Sequence, residues 1–296
     1  MNPRALLVSP LGFLIGVSLG ALGGGGSILA VPVLVFAAGE DPKSATTTSL
    51  VVVGATAIGG MVAHLRAGHV RVVPGLLFGL AGVGGSLLGT QLNHRVDENV
   101  LLLAFAFLMV IAAWRMWVGQ AQPGAGDEVF DDLPDGGPGG EVGASHEVAG
   151  PLVGASPGPV ALARPAVDRR VVVLKVLAAG TVVGFITGFF GVGGGFVIVP
   201  ALVLALGFDM ADAVGTSLLV IVINSAVALA TRVGTTGVDW GVALPFTVAG
   251  LLGVSAGKRL ADRLPTHTLV RWFVGLLVAL AAYVAIRAGL ALFGGG

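Results

Sequence analysis

Two short patterns in this sequence combine residue types that can hold a solute, and each occurs twice. The first is the glycine cluster Gly23-Gly24-Gly25-Gly26-Ser27, echoed by Gly191-Val192-Gly193-Gly194-Gly195. Each lies inside an apolar segment and is followed by a short apolar stretch reaching Pro32 or Pro200. Every glycine costs a helix about 0.8–1 kcal/mol relative to alanine, so such a run predicts a break between two half-helices. A break leaves backbone N–H groups unpaired at the start of the second half, and those groups suit an anion. The plainer alternative is that the glycines only let helices approach closely.

The second pattern is Thr46-Thr47-Thr48-Ser49 and its copy Gly215-Thr216-Ser217, each near the start of the next apolar segment. Their hydroxyls can cap the helix or coordinate a solute, and a helix start points positive charge outward. Farther along, Asn224 occupies the position that matches Thr56, where an amide either bonds a neighbouring helix or lines a path. His64 and Arg232 coincide in the same way, each closing its segment, either as cationic points on a route or as interfacial anchors. All 16 acidic residues fall in loops, at segment ends or in one polar stretch. No apolar segment carries the central carboxylate common in cation sites and proton relays. Amide N–H groups, hydroxyls and a guanidinium favour an anion.

Other chemistry is excluded. Gly253–Lys258 resembles a phosphate loop but has three residues between its glycines where four are needed. No Ser/His/Asp set, H-E-x-x-H or paired carboxylate occurs within the apolar segments. With no cysteine there is no thiolate metal site, and no cofactor is expected. The spacings Gly16/Gly20, Gly85/Gly89, Gly184/Gly188 and Gly253/Gly257 predict helix contacts.

The elements that must position these residues belong to a membrane. Of 296 residues, 55% are hydrophobic and 11% charged, where a soluble domain carries about 25% charged. Mean hydropathy is +0.96. Net charge is zero, which gives no argument for nucleic acid. Apolar runs long enough to span a bilayer occur at 5–37, 46–64, 72–92, 99–118, 171–206, 213–231, 240–260 and 267–290. The first and fifth are too long for one straight crossing. The expected fold is therefore all-α and polytopic, with about eight transmembrane helices and glycine-broken first helices. Residues 119–170, rich in Gly, Pro and acidic residues, predict a disordered linker outside the membrane.

Sliding the chain by 168 residues aligns Gly16–Trp117 with Gly184–Ala285 without a gap. Asp41 falls on Asp209, Thr48-Ser49-Leu50 on Thr216-Ser217-Leu218, and Arg95 on Arg263. Shared composition does not produce that register, so residues 1–118 and 171–296 are expected to be two copies of one transmembrane unit. Four spans per copy make the copies parallel. Broken segments that enter and return make them inverted. On the eight-span count, basic residues favour termini and linker together in the cytoplasm.

G-A-L-G-G-G-G-S-x-L-x-V-P at Gly20–Pro32 and G-F-F-G-V-G-G-G-F-x-x-V-P at Gly188–Pro200 resemble the paired signature of the TauE/SafE sulfite exporter family. Each is followed by A-T-T-T-S-L or A-V-G-T-S-L, as in that family. The resemblance implies a bacterial inner-membrane permease of the four-plus-four type. It also implies small sulfur-containing or organic anions as substrates, among them sulfite, sulfonates and sulfoacetate. By motif it points to Gly25, Gly26, Ser27, Thr48, Ser49, Gly193, Gly194, Gly195, Thr216 and Ser217 as the site.

The expectation is a non-enzymatic permease for a small anion, working by alternating access in the lipid bilayer, with a homodimer left open. A channel-like facilitator and an accessory factor recruiting a partner through the linker are the alternatives. Non-saturating flux favours the former, and loss of function on deleting the linker favours the latter.

Overall fold

The computed structural model describes residues 3–93, 98–118, 169–190, 195–230 and 237–293. The expected linker lies outside these residues except for Arg169 and Arg170, which open a helix. Among the described residues every regular element is helical. In order they are α1 (Pro3–Leu22), a 3-10 segment (Gly23–Leu29), α2 (Ala30–Phe36), α3 (Pro42–Arg66), α4 (Val72–Asn93) and α5 (Glu98–Val118). Then come α6 (Arg169–Phe190), α7 (Gly195–Leu206), α8 (Met210–Ala230), α9 (Trp240–Ala261) and α10 (Thr266–Phe293).

Lipid offers no hydrogen bonds, so an apolar chain must satisfy its backbone internally, and helices do so segment by segment. Five of them, α3, α4, α6, α8 and α9, are long and apolar enough to cross a membrane. Their ends are written locally. Pro42 starts α3 without an N–H to leave unpaired. Asp239 caps α9, its side chain accepting from the Gly241 N–H at 2.9 Å. Asp209 accepts from the Ala211 N–H at 3.3 Å at the start of α8. The outer surface exposes Leu80, Leu87, Leu88, Phe107, Leu174, Leu244 and Leu252. An apolar surface of that extent belongs against lipid.

The path of α1 decides the topology. Gly23 takes φ +66°, a left-handed conformation that L side chains avoid, and the chain turns there. Gly26 then lies against Ile15 and Leu19 of α1, eleven and seven residues behind it. A straight helix would put those residues far away, so the 3-10 segment and α2 fold back along α1. Leu34 of α2 joins Ile15, Ala45, Val52 and Phe246 in one buried cluster. α3 then runs back beside α1, and the His64 ring lies 3.2 Å from the Gly20 carbonyl.

Helix starts recur at the 168-residue offset, Pro42 with Met210, Val72 with Trp240, and Glu98 with Thr266. Helices matched by this offset run in opposite senses. α3 meets α8 antiparallel, Gly54 on Ser225 and Gly60 on Leu218. α1 lies parallel to α9 through Gly12 on Phe246, Gly16 on Gly250 and Gly20 on Val254. The same contacts recur as Gly180 on Phe78, Gly184 on Gly82 and Gly188 on Ser86, which align α6 with α4. The first helix of each half thus packs on the fourth helix of the other, through the small-residue spacings.

This return corrects one expectation. With the extra reversal at Gly23, α1 begins and α10 finishes at one end of the molecule. The end of α5 and the start of α6 lie at the other, where Arg271 of α10 stacks over the Trp117 ring at 5.9 Å. Termini and linker attachment points are therefore at opposite ends, not on one side. The eight-span count missed the reversal because apolarity alone does not reveal a turn made inside an apolar run.

Candidate functional site

Where α1 turns, its tip meets the other half. Gly24 lies against the backbone of Gly195 at the start of α7, and Gly195 in turn against the Ser27 hydroxyl. Gly23 packs on the Ser217 hydroxyl and on Val199 and Val214. A side chain at Gly24 or Gly195 would collide with atoms of the opposite half, so the two glycine-bearing tips fit only without one. Gly25 and Gly26 belong to the same 3-10 segment, which runs directly into α2, with the Ala30 N–H donating to the Ser27 carbonyl. The first N–H of α2 is thus already used. Gly193 and Gly194 lie outside the described residues, as does Arg232.

The serine hydroxyls are anchored to backbone. Ser27 donates to the Gly24 carbonyl at 2.7 Å, Ser49 to Thr46 at 2.8 Å and Ser217 to Val214 at 2.7 Å. Each of these protons is committed. The threonines differ. Thr48 and Thr216 are both fully buried, but the antiparallel pairing of α3 and α8 puts them about 20 Å apart along the helix axis at 1.5 Å per residue. Thr216 lies beside the α1 tip, next to Ser217, and Thr48 lies toward the other end. Asn224 is half-buried on α8, and Thr56, its counterpart, sits beside Gly250 with its hydroxyl unpartnered.

At the Thr216 end, the Arg71 N–H donates to the Thr216 hydroxyl at 3.0 Å. The Arg71 guanidinium donates to Asp212 at 2.8 Å, and the His69 ring lies 3.0 Å from the same carboxylate. These bonds tie the α3–α4 turn to α8 of the other half. An open cleft of ≈ 430 Å³ lies alongside, lined by Ala21, His64, His69, Val214, Lys258 and Asp262 among others. Its lining includes Ala21, two residues before the turn at Gly23. Lys258 donates to Asp262 at 2.7 Å.

At the Thr48 end the chemistry is reversed. Asp239 holds the position that matches Arg71, and Glu40 the position that matches Phe208. Sequence reasoning passed over Glu40, Asp212, His69 and Arg71. They sit at segment ends, where charged residues ordinarily face water, and only the long-range packing buries the two acids.

Comparisons with known proteins give the family. The family profile "Sulfite exporter TauE/SafE" matches residues 8–284. A probable membrane transporter protein of Xylella fastidiosa (strain 9a5c) is 33% identical over 97% of this chain and 97% of its own length. Probable membrane transporter protein YunE of Bacillus subtilis (strain 168) is 26% identical over 88% of this chain and 89% of its own. No solved structure matches the sequence. With a match extending from the first helix into the last, the chain belongs to the TauE/SafE sulfite exporter family of membrane transporters.

Proposed function

We propose that this transporter carries a small anion, an oxidised sulfur compound such as sulfite or a sulfonate, by alternating access between its two halves. The observation that carries the reading is the contact of the α1 tip with Gly195 and Ser217. It is a barrier made of backbone and hydroxyls, free of carboxylates and contributed by both halves. Helices of opposite sense that exchange partners across such a barrier can rock about it and open either end in turn. Thr48 and Thr216 then flank the substrate position, one toward each mouth. The basic side chains of the cleft, His64, His69 and Lys258, favour entry of an anion at the Thr216 end.

Arg66, Arg71, Arg115, Lys258, Arg259 and Arg263 cluster at that end, with the linker attachments. We place it in the cytoplasm of a bacterial inner membrane, with the termini outside.

The test is transport by the purified full chain in liposomes, using radiolabelled sulfite and a panel of sulfonates. Saturable flux that sulfonates inhibit and chloride does not is the expected result. Linear, non-saturating flux makes the protein a facilitator. No flux of any oxidised sulfur anion removes the substrate class.

A further inference from the structure

Among the described residues, Glu40 is a buried acid that no hydrogen-bond donor satisfies. It follows α2 and is 8% exposed, and neither carboxylate oxygen has a hydrogen-bond partner. Thr48, 0% exposed, presents its hydroxyl to Glu40 without closing a bond of good geometry, and its oxygen is likewise unpartnered. A buried carboxylate with no partner is costly, and the cost disappears when the group takes a proton.

The surroundings make ionisation harder still. Asp239, ahead of α9, is the charged group that acts on Glu40, and its sign is the same. Among the side chains described in α1, α2 and α3, none near Glu40 is a cation; Lys43, in the first turn of α3, lies outside those described, and the neighbouring Asp41 is exposed and of the same sign. His64 and Arg66 of α3, and Lys258 and Arg259 of α9, lie at the far ends of those helices. Burial pushes the Glu40 carboxyl above the usual carboxylate range; the Thr48 hydroxyl offsets part of this and the Asp239 charge adds to it.

Comparison with the other end shows that this is particular to one half. There Arg71 stands in the place of Asp239, neutralises Asp212 and donates its backbone N–H to the Thr216 hydroxyl. The position matching Glu40 holds Phe208, 3% exposed in the apolar core. The two copies share the buried threonine. Only the first places an unpaired acid beside it.

We infer that Glu40 is a proton-binding site that couples proton uptake to anion binding beside Thr48, making the transporter a proton–anion symporter. The inference rests on the anion reading above for its cargo, though not for the proton site itself. Ionised, Glu40 and Asp239 together repel an anion approaching Thr48. On protonation the repulsion falls by one charge, and the carboxyl O–H and the Thr48 O–H become donors for an oxyanion. Proton and anion then raise each other's affinity by the same factor, as linkage requires. No covalent step is involved: one proton arrives from water with the anion and leaves with it.

Two measurements on the full chain in lipid nanodiscs and liposomes test this. Infrared difference spectra across pH should show a protonated-carboxyl band in the wild type that persists above the ordinary glutamate range and is lost in Glu40→Gln. Absence of that band overturns the inference while leaving the anion reading intact. For transport the probe is radiolabelled methanesulfonate, whose charge is fixed, so any proton counted belongs to the protein. An acidic exterior should accelerate wild-type uptake, and whatever uptake Glu40→Gln retains should be the same with and without the gradient. A variant that keeps the gradient response overturns the inference. If the band is present but neither protein moves methanesulfonate or sulfite, the proton site stands and the substrate class fails.

Discussion

Gly16 of α1 lies so close to Gly250 of α9 that a Cβ on Gly16 would overlap the Gly250 backbone. Their counterparts Gly184 and Gly82 make the same contact between α6 and α4. Without a hydrophobic driving force between helices in lipid, association depends on this kind of close backbone packing. The two contacts clamp the first helix of each half to the opposite half, which fixes where the Gly23–Leu29 turn can lie.

Gly16→Ala and Gly184→Ala are therefore expected to destabilise the protein, each by about 1–3 kcal/mol as in overpacked cores. Gly84→Ala, on the same α4 helix with open space around it, should cost nothing. Thermal unfolding in detergent at one scan rate reads the difference. Equal melting temperatures for all three variants would show that the clamp does not exist.

Identical substitutions at Thr48 and Thr216 should have opposite consequences. Thr216→Val removes the acceptor of the Arg71 N–H, a hydrogen bond worth about 0.5–1.5 kcal/mol. Thr48→Val removes a hydroxyl that is itself unpartnered, so stability should hold or rise. Thermal melts of the two single variants check this, and a destabilised Thr48→Val would reveal a partner for Thr48.

Arg71 and Asp212 join the two halves across a junction in which their side chains are 21% and 9% exposed. Removing one partner takes the ion pair from the other, so Asp212→Asn and Arg71→Gln should each lower stability. The double variant should lose less than the sum, with a coupling of about 0.5–3 kcal/mol. A double-mutant cycle in unfolding free energy measures it, and additivity would mean that the pair forms no latch.

The helix directions also predict sidedness. The chain has no cysteine, so single cysteines introduced as Asn2→Cys and Gly139→Cys report their own accessibility. A membrane-impermeant maleimide applied to intact cells should label one and spare the other. Labelling of both or of neither, with both reactive after lysis, contradicts a reversal at Gly23.

How much of this was legible follows from where each kind of information resides. The starts of α3, α4, α9 and α10 fall within a few residues of the apolar boundaries, because hydropathy and caps such as Asp239 are local. The small-residue spacings announced helix contacts, though not that Gly16 meets Gly250 rather than a glycine of its own half. The cluster at Gly23–Ser27 announced a break. It did not announce a reversal, because the direction of the next segment is set by packing against Ile15 and Leu19. Glu40 and Asp212 look like ordinary loop acids in sequence, and only the fold separates them, giving Asp212 a guanidinium and, among the described residues, Glu40 no hydrogen-bond partner.

That difference has a pH signature in stability. Because the folded-state pKa of Glu40 lies above its unfolded value, the native state holds the proton more tightly than the unfolded chain. Its contribution is then fully present below the ordinary glutamate value of about 4.3 and is lost as pH rises through the raised folded value. Wild type should accordingly lose melting temperature over that window. Glu40→Gln, which keeps the shape of the protonated group and cannot ionise, should lack this slope and be the more stable protein on the alkaline side. The reading is melting temperature against pH for both chains in the same detergent. If the two curves run parallel, Glu40 does not hold a proton that the unfolded chain releases. The acid at the Thr48 end is then a solvated carboxylate like any other.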